Sequence, residues 1–309
     1  GRMAEQIPEL HRRAYKWYAA HEMWNLAVQH AIAAKDFEQA LAYVEQCAMS
    51  LVIKGDLLTL LAWERQLPAE LTRGQAHVKL ALAWGMALVT RLAEADALLT
   101  QVEDIARADQ TSELWWRCRS ARAAWYGLSD DSAQGRKIAT EARQYRSYNA
   151  FDLNNIGNLL RFAHLKAGEW DEFYAAPKPE KEADEATYVL AENYRLYLHA
   201  MAATQKLEFD EALRLASDAR TLAEKYVGAK SVAAAMATAF LALPRFERGD
   251  TSGAEIAVLD DLSIIETTGF HESFLSAFIV LARAAICRGD KELARVLLNR
   301  AERVVEGRG

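Results

Sequence analysis

Apolar and polar positions recur along the chain with a spacing that predicts short helical hairpins. Each unit has a first helix rich in small and aromatic residues, a polar turn and a second helix with Ala and Leu at i, i+3 and i+4 spacing. An acidic residue follows the turn at Glu169, Glu208, Asp250 and Asp290, at intervals of 39, 42 and 40 residues. Periods near 40 residues are typical of helix–turn–helix solenoids. The pattern predicts an all-α fold, a right-handed superhelix of tetratricopeptide-like hairpins.

Small residues support the same hairpins. Ala95, Ala212, Ala254 and Ala294 stand near the start of four of the second helices, where a small side chain lets two helix axes approach. Runs of alternating β-branched residues, which would favour strands, are absent from the sequence.

The regular period does not extend to the front of the chain. Residues 1–73 read as irregular hairpins, with one helix pair about Lys35-Asp36 and a later helix that stops at Pro68. We therefore predict a connector over 1–73 and a continuous superhelical sensor region over 74–309. Pro177 and Pro179 interrupt one second helix, which predicts a short helix and a solvated linker from Lys178 to Glu185.

Composition narrows the function classes. The net charge of −6 lacks the basic surplus that a nucleic-acid binder uses to displace counterions. The longest uncharged run is too short to span a bilayer, and the first residues carry no apolar signal core. We expect a cytoplasmic region that contacts neither membrane nor nucleic acid. The three cysteines, Cys47, Cys118 and Cys287, are far apart, which predicts reduced core thiols and no metal site.

Residues 9 to 105 resemble one protein family closely. The run LHRRAYKWYAAHEMWNLAVQHAIAAKD contains Leu10 to Ala14, Trp17-Tyr18, Ala20-His21, Ala27 to Ala31 and Ala34 to Asp36, and Trp63 to Pro68 follows later. These segments resemble the MalT-like family of large ATP-binding LuxR-type transcription activators. Beyond residue 105 only the repeat architecture is similar.

The resemblance implies a role in a larger protein. Family members join an N-terminal ATPase to a helical connector, a repeat sensor and a C-terminal LuxR-type helix-turn-helix. This sequence has neither a Gly-x-x-x-x-Gly-Lys-Ser/Thr loop nor a helix-turn-helix pattern. The resemblance thus implies a sensor region that binds a small-molecule inducer and then self-associates, with ATP held by another domain and no cofactor in this segment.

First-helix residues are the candidates for an inward-facing ligand site, since such helices line the concave surface of a solenoid. Trp and Tyr offer flat faces with a polar tip, Asn both donates and accepts, and Arg presents a fork to a carboxylate. Such a groove suits a sugar or a small aromatic or acidic molecule. The candidates are Trp84, Trp115, Arg119, Arg122, Trp125, Asn155, Asn158, Phe162, Tyr194 and Tyr197.

The same positions also have plainer interpretations. The aromatic residues suit core packing, Arg119 and Arg122 suit a solvated surface, and the Asn run at 154–158 suits the cap of a helix start. No spacing indicates a catalytic constellation, so we do not expect an enzyme. The leading hypothesis is an inducer sensor that contacts other domains of the same activator and forms homo-oligomers. The alternative is a scaffold that binds a peptide or partner domain in the same groove.

Overall fold

All regular secondary structure in the described part of the chain is helical. The computed structural model describes residues 2–145, 149–179, 184–268 and 271–306. The helices within these ranges are α1 (Arg2–Ala20), α2 (Trp24–Ala33), α3 (Phe37–Lys54), α4 (Leu57–Gln66), α5 (Ala69–Thr72), α6 (Ala76–Leu88), α7 (Leu92–Ala106), α8 (Glu113–Leu128), α9 (Ser132–Ala142), α10 (Ala150–Ala167), α11 (Trp170–Ala175), α12 (Glu185–Gln205), α13 (Phe209–Tyr226), α14 (Val232–Glu247), α15 (Thr251–Ile265), α16 (His271–Cys287) and α17 (Lys291–Glu306).

The turn between paired helices repeats with the predicted period. One turn residue adopts a left-handed φ, and from α6 onward the distances between successive examples are 40, 38, 39, 42 and 40 residues. Glycine occupies three of these positions, as expected where a Cβ is unfavourable. The turn residues are Thr90, Asp130, Gly168, Leu207, Gly249 and Gly289. The helices pack as adjacent pairs, which is consistent with a helical-repeat solenoid and confirms the predicted fold class.

The acidic residue after each turn is the point where the second helix begins. Glu169, Glu208 and Asp250 are the N-cap residues of α11, α13 and α15, and the Asp250 carboxylate accepts a hydrogen bond from the Gly253 N–H at 3.0 Å. Capping satisfies an N–H that has no partner in the helix itself. The alanines near the start of α7, α13, α15 and α17 are buried as predicted, namely Ala95, Ala212, Ala254 and Ala294.

The chain forms two compact units. Unit 1 comprises Gly1–Met86 and Glu94–Cys118, and unit 2 comprises Ala87–Ala93 and Arg119–Gly309. The predicted connector, residues 1–73, lies inside unit 1, and so does the start of the predicted sensor region. In unit 1, α6 approaches α4 so closely that a Cβ added to Gly85 would lie 3.3 Å from the Leu60 side chain.

In unit 2, first helices of consecutive hairpins pack on one another. Helix α10 contacts α12, α12 contacts α14, and α14 contacts α16, while each also packs on a second helix. The buried clusters of the described residues in this unit include one centred on Phe173 and Tyr197 between α10 and α14, and another centred on Phe274 and Phe278 between α14 and α17. The first helices of unit 2 therefore form the continuous row expected of stacked hairpins.

Three local predictions have definite outcomes. Helix α11 has six residues and ends at Ala175, before Pro177, as predicted. The interpretation of residues 154–158 as a helix start is wrong, because Asn149 caps α10 by accepting from the Asp152 N–H at 2.9 Å. Of the predicted linker, residues 180–183 lie outside the described residues.

The cysteines differ from the prediction in one case. Cys47 and Cys118 are buried, as expected of core thiols, whereas Cys287 is exposed, because it ends α16 next to the turn. None of the described helices combines the length and apolar character that crossing a membrane requires. Within the same residues, no group of three or more His, Cys, Asp or Glu side chains could hold a metal ion.

Candidate ligand-binding site

Unit 2 contains a cavity of about 440 Å³ between α10 and the segment that follows α11. This volume lies within the range of small-molecule pockets. The helices supply its walls, and residues 176–179 cover one side. The lining residues are Arg143, Leu153, Asn154, Ile156, Gly157, Asn158, Leu160, Arg161, His164, Glu172, Ala175, Ala176, Pro177, Lys178 and Pro179.

Helix α10 brings its polar side chains to this cavity through helical spacing. Asn154, Asn158 and Arg161 follow one another at intervals of four and three residues, so they share one face of the helix. Gly157 lies among them, and a Cβ added there would meet nothing within 4 Å. The absence of a side chain at Gly157 thus leaves part of the cavity empty.

The prolines shape the opposite wall. Helix α11 ends at Ala175, and Ala176 turns into an extended conformation with ψ 133°, the conformation favoured before a proline. The extended segment directs backbone carbonyls toward α10. The guanidinium Nη2 of Arg161 donates to the carbonyl of Ala176 at 3.1 Å and to that of Pro177 at 2.6 Å.

Arg161 is the central group of the cavity wall. Its side chain is 1% exposed, and its Nη1 donates to the side-chain oxygen of Asn158 at 2.6 Å. Burial, together with the positive charge of Arg195, lowers the pKa of Arg161 to about 10. The guanidinium therefore remains protonated at neutral pH although it is buried.

Two donors beside the cavity have no hydrogen-bond partner. The Nε of Arg161 and the side-chain nitrogen of Asn154 are both buried and unpaired. A buried donor without a partner costs free energy, typically about 1–3 kcal/mol. An acceptor on a ligand that reached these two groups would remove this cost.

Other cations surround the same space. Arg143 and Lys178 are exposed on the lining. His164 is engaged by Glu169, whose carboxylate also accepts from Arg136 at 2.9 Å. The neighbouring His199 reflects this charge, since burial and then Arg195, Arg161 and Lys178 lower its pKa to about 4.

Of the ten residues proposed from the sequence, the structure places Asn158 on the cavity wall. Its side-chain nitrogen donates to the carbonyl of Ala191 on α12 at 2.9 Å, and its oxygen accepts from Arg161. Asn158 thus links the two first helices and orients the guanidinium. A ligand would meet it as part of a fixed network.

A second group of the proposed residues lies around α8. Arg122 is buried with its guanidinium 5.3 Å from the Trp125 ring, and the Trp125 Nε1 donates to the carbonyl of Leu92 at 2.8 Å. The side-chain nitrogen of Asn155 donates to both oxygens of Ser120, at 3.1 and 2.9 Å. Trp125 and Asn155 thus bond to residues outside their own helices, whereas the contact of Arg122 with Trp125 lies within α8.

The solvated interpretation of the two arginines of α8 needs correction. Arg122 is buried, and Arg119 is half-buried and pairs with Glu141 on α9 at 3.0 Å. Trp115, on the same helix but in unit 1, is half-buried.

The other proposed aromatic residues contribute to the core. Trp84 is buried in unit 1, and Phe162 and Tyr197 are buried in unit 2. The Tyr197 hydroxyl donates to the carbonyl of Ala233 at 2.7 Å, and burial raises its pKa well above 10. Tyr194 packs half-buried against the same cluster, with its ring centroid 5.8 Å from that of Tyr197.

Sequence reasoning missed Arg161, Asn154, Arg143 and Lys178. The signal that could have found the first two was the polar spacing along NNIGNLLRFAH. The Pro-Lys-Pro run at 177–179 forms the cavity wall opposite this face of α10. Its position depends on tertiary contacts, so the periodicity of the sequence does not predict it.

The comparisons with known proteins identify relatives but no family. No protein-family model matches this sequence. The chain is similar to the serine/threonine-protein kinase PknK of Mycobacterium tuberculosis strain H37Rv, with 30% identity over an alignment of 303 residues that covers 94% of this chain and 26% of the relative. PknK of M. tuberculosis strain CDC 1551 and of Mycobacterium bovis give the same values. The chain thus spans about a quarter of the length of these curated relatives.

Proposed function

We propose that this chain is a non-catalytic sensor region of a larger regulator and that it binds a small-molecule effector in the cavity of unit 2. The regulator would be a LuxR-type transcription activator, as the resemblance of residues 9 to 105 implies. The similarity to about a quarter of a serine/threonine-protein kinase is compatible with a regulatory helical region. The observation that carries the proposal is the cavity of about 440 Å³ with two unpaired buried donors on its wall.

Effector binding would act by selecting a conformation. Residues 176–179 are held to α10 by the bonds from Arg161 to two carbonyls, and the same arginine lines the cavity. A ligand that binds one arrangement of this segment better than another shifts the population toward it. The expected response is self-association of the chain or contact with other domains of the regulator.

A cavity-filling variant tests the proposal. Gly157→Trp should place an indole in the cavity, because no atom lies within 4 Å of a Cβ at this position. Gly157→Ala is the matched control, since it adds a single methyl group. A metabolite screen by thermal unfolding should yield a compound that adds about 2.7 kcal/mol at a hundred times its dissociation constant. That gain should persist in Gly157→Ala and disappear in Gly157→Trp.

A different response of Gly157→Trp would contradict binding in the cavity. A compound that stabilises Gly157→Trp as much as the unmodified chain binds elsewhere, and the cavity would then lose its assigned role. Sedimentation velocity with and without the compound measures the response in self-association. An unchanged sedimentation coefficient would separate binding from the regulatory step.

A scaffold role is the second candidate, and one surface favours it. Leu275, Ile279 and Ile286 of α16 are 46%, 42% and 55% exposed. An apolar strip of this kind on a helical-repeat surface suits an amphipathic partner helix. Charged substitutions at Leu275 and Ile279 that abolish a partner interaction, while effector binding is retained, would support the scaffold role.

A further inference from the structure

The cavity of unit 2 carries a buried positive charge that no carboxylate of the described residues contacts directly, although the charge of Glu192 acts on it from a greater distance. Arg161 is 1% exposed, and its hydrogen bonds go to a side-chain amide oxygen and two backbone carbonyls. Within the described ranges, no carboxylate forms an ion pair with it. Buried charges are normally paired, because removal from water is costly. A ligand that brings a negative charge would supply the missing partner.

The unpaired polar groups at this wall are donors. The Arg161 Nε and the Asn154 side-chain nitrogen each present an N–H and lack a partner. A carboxylate or phosphate group offers only acceptor oxygens. Hydrogen bonds to a charged acceptor are also shorter and stronger than neutral ones. The wall therefore matches an oxyanion better than a neutral hydroxyl group.

The exposed residues at the opening of the cavity are also mainly positively charged. Arg143 and Lys178 line the cavity, and neither forms an ion pair in the part of the chain that the structure describes. Glu172 is the acidic residue of the lining, so three cations that lack an ion pair stand against one carboxylate. The chain as a whole has a net charge of −6. The excess of positive charge at the cavity is therefore local and does not reflect the overall composition.

We propose that the cavity of unit 2 binds a small organic anion whose carboxylate or phosphate group contacts Arg161 and Asn154. Arg143 and Lys178 attract the anion at the rim, and the apolar lining, including Leu160 and Pro177, contacts its carbon skeleton. This inference rests on the proposed function and gives the effector a chemical class.

Matched pairs of probes that differ in charge test the class. Glucose 6-phosphate and glucose share a sugar ring, and succinate and succinamide share a four-carbon chain. Isothermal titration calorimetry on the 309-residue chain should show tighter binding of at least one anion than of its neutral counterpart. The anion that binds more tightly, glucose 6-phosphate or succinate, shows whether the site prefers a phosphate or a carboxylate group. Raising the salt from about 50 to about 300 mM KCl should weaken binding of the anion and leave a neutral probe unaffected.

Rim variants locate the site. Arg143→Ala and Lys178→Ala each remove an exposed charge, so folding should be preserved, and each should weaken anion binding about tenfold. Lys137→Ala is the matched control, since Lys137 is exposed on α9 and does not line the cavity. A loss of affinity in Lys137→Ala as large as in Arg143→Ala would overturn the inference, because binding would then follow the overall surface charge.

The remaining outcomes separate this inference from the proposed function. If neither anion binds more tightly than its neutral counterpart, the charge class is overturned. A neutral compound that binds the chain and is blocked by Gly157→Trp would then leave the sensor role intact. If Gly157→Trp blocks no compound of either kind, both the inference and the sensor role fail.

Discussion

Asn158 and Arg161 lie one turn apart on α10, and the guanidinium Nη1 donates to the Asn158 side-chain oxygen at 2.6 Å. The two residues share the cavity wall, yet their remaining bonds lead in different directions. Asn158 continues to the Ala191 carbonyl of α12, and Arg161 to the carbonyls of Ala176 and Pro177. The pair thus connects the next first helix with the proline segment, which couples the cavity to two parts of the repeat array.

We expect Arg161→Lys to destabilise the protein by about 2 kcal/mol or more. Lysine keeps the buried charge but lacks the planar fork that reaches an amide oxygen and two carbonyls at once. Each bond to a charged donor contributes about 1.5–3 kcal/mol. Urea unfolding measures the loss, and hydrogen exchange of the segment around residues 176–179 should become faster.

Lys178→Ala is the control for this prediction. Lys178 belongs to the same segment but is exposed, and among the described residues no hydrogen bond or ion pair holds its side chain. The free energy of unfolding of Lys178→Ala should therefore differ from that of the unmodified chain by no more than about 0.5 kcal/mol. Equal unfolding midpoints for Arg161→Lys and the unmodified chain would show that the carbonyl bonds do not hold the segment.

Two glycines in helices of unit 2 should respond to alanine with opposite signs. A Cβ at Gly157 meets no atom within 4 Å, whereas a Cβ at Gly127 would lie 2.6 Å from the Leu159 Cδ1. Gly157→Ala should raise the free energy of unfolding by about 0.5–1 kcal/mol, because alanine favours the helical backbone. Gly127→Ala should lower it by about 1–3 kcal/mol through overpacking between α8 and α10.

Chemical denaturation of both variants under the same conditions checks the pair. The difference in sign is the informative result, since helix propensity alone would stabilise both. Stabilisation by Gly127→Ala would mean that Leu159 moves aside at no cost, and the close approach of α8 and α10 would then contribute little to the packing of unit 2.

The repeat could be predicted from the sequence because its determinants are local. Alanine at the crossing and an acidic residue after the turn recur with the period itself, and Ala212 and Glu208 occupy the expected places. The cavity could not be predicted in this way. It arises where the polar face of α10 meets a segment that Pro177 keeps out of the helix, and the two are brought together by the fold alone.

Individual site residues were harder still, because spacing does not distinguish a lining side chain from a core one. Tyr197 and Trp84 have the amphipathic character of ligand-binding residues, but both are buried. Arg161 has the sequence context of an ordinary solvated arginine. It is buried because the carbonyls of the proline segment satisfy part of its guanidinium.

In unit 1, the Asp36 side chain both caps α3 and bonds to α1, so its replacement should lower the free energy of unfolding. One carboxylate oxygen accepts from the Gln39 N–H at 3.3 Å and caps α3, and the other accepts from the Tyr15 hydroxyl of α1 at 2.7 Å. Asp36→Ala should lose about 1 kcal/mol for the cap and about 1 kcal/mol for the unpaired hydroxyl.

Asp36→Asn provides the matched comparison. Its amide oxygen can still accept from the Gln39 N–H, so thermal unfolding should show a smaller loss than in Asp36→Ala. Tyr15→Phe removes only the hydroxyl and should cost about 1 kcal/mol. A fully additive double variant Tyr15→Phe, Asp36→Ala would indicate that the two residues do not interact.

His199 should make the stability of the protein sensitive to mild acid. Burial, followed by Arg195, Arg161 and Lys178, lowers the pKa of His199 from 6.5 to about 4, against a smaller opposing effect of Glu211. The folded state then binds fewer protons than the unfolded state between these two values. Stability from the neutral imidazole is therefore fully present above pH 6.5 and is lost as the pH falls toward 4.

The variant His199→Phe isolates this contribution. It keeps a ring against Phe173 and Tyr174, whose centroids lie 4.7 and 5.7 Å from the imidazole, and it cannot titrate. Between pH 6.5 and about pH 5 the unmodified chain should lose about 1.5 kcal/mol more than the variant, since a full proton difference contributes about 1.4 kcal/mol per pH unit and the unfolded imidazole is only half protonated at pH 6.5. Urea unfolding at both pH values measures the difference. Equal losses in the two proteins would show that burial and the neighbouring cations do not suppress protonation of His199.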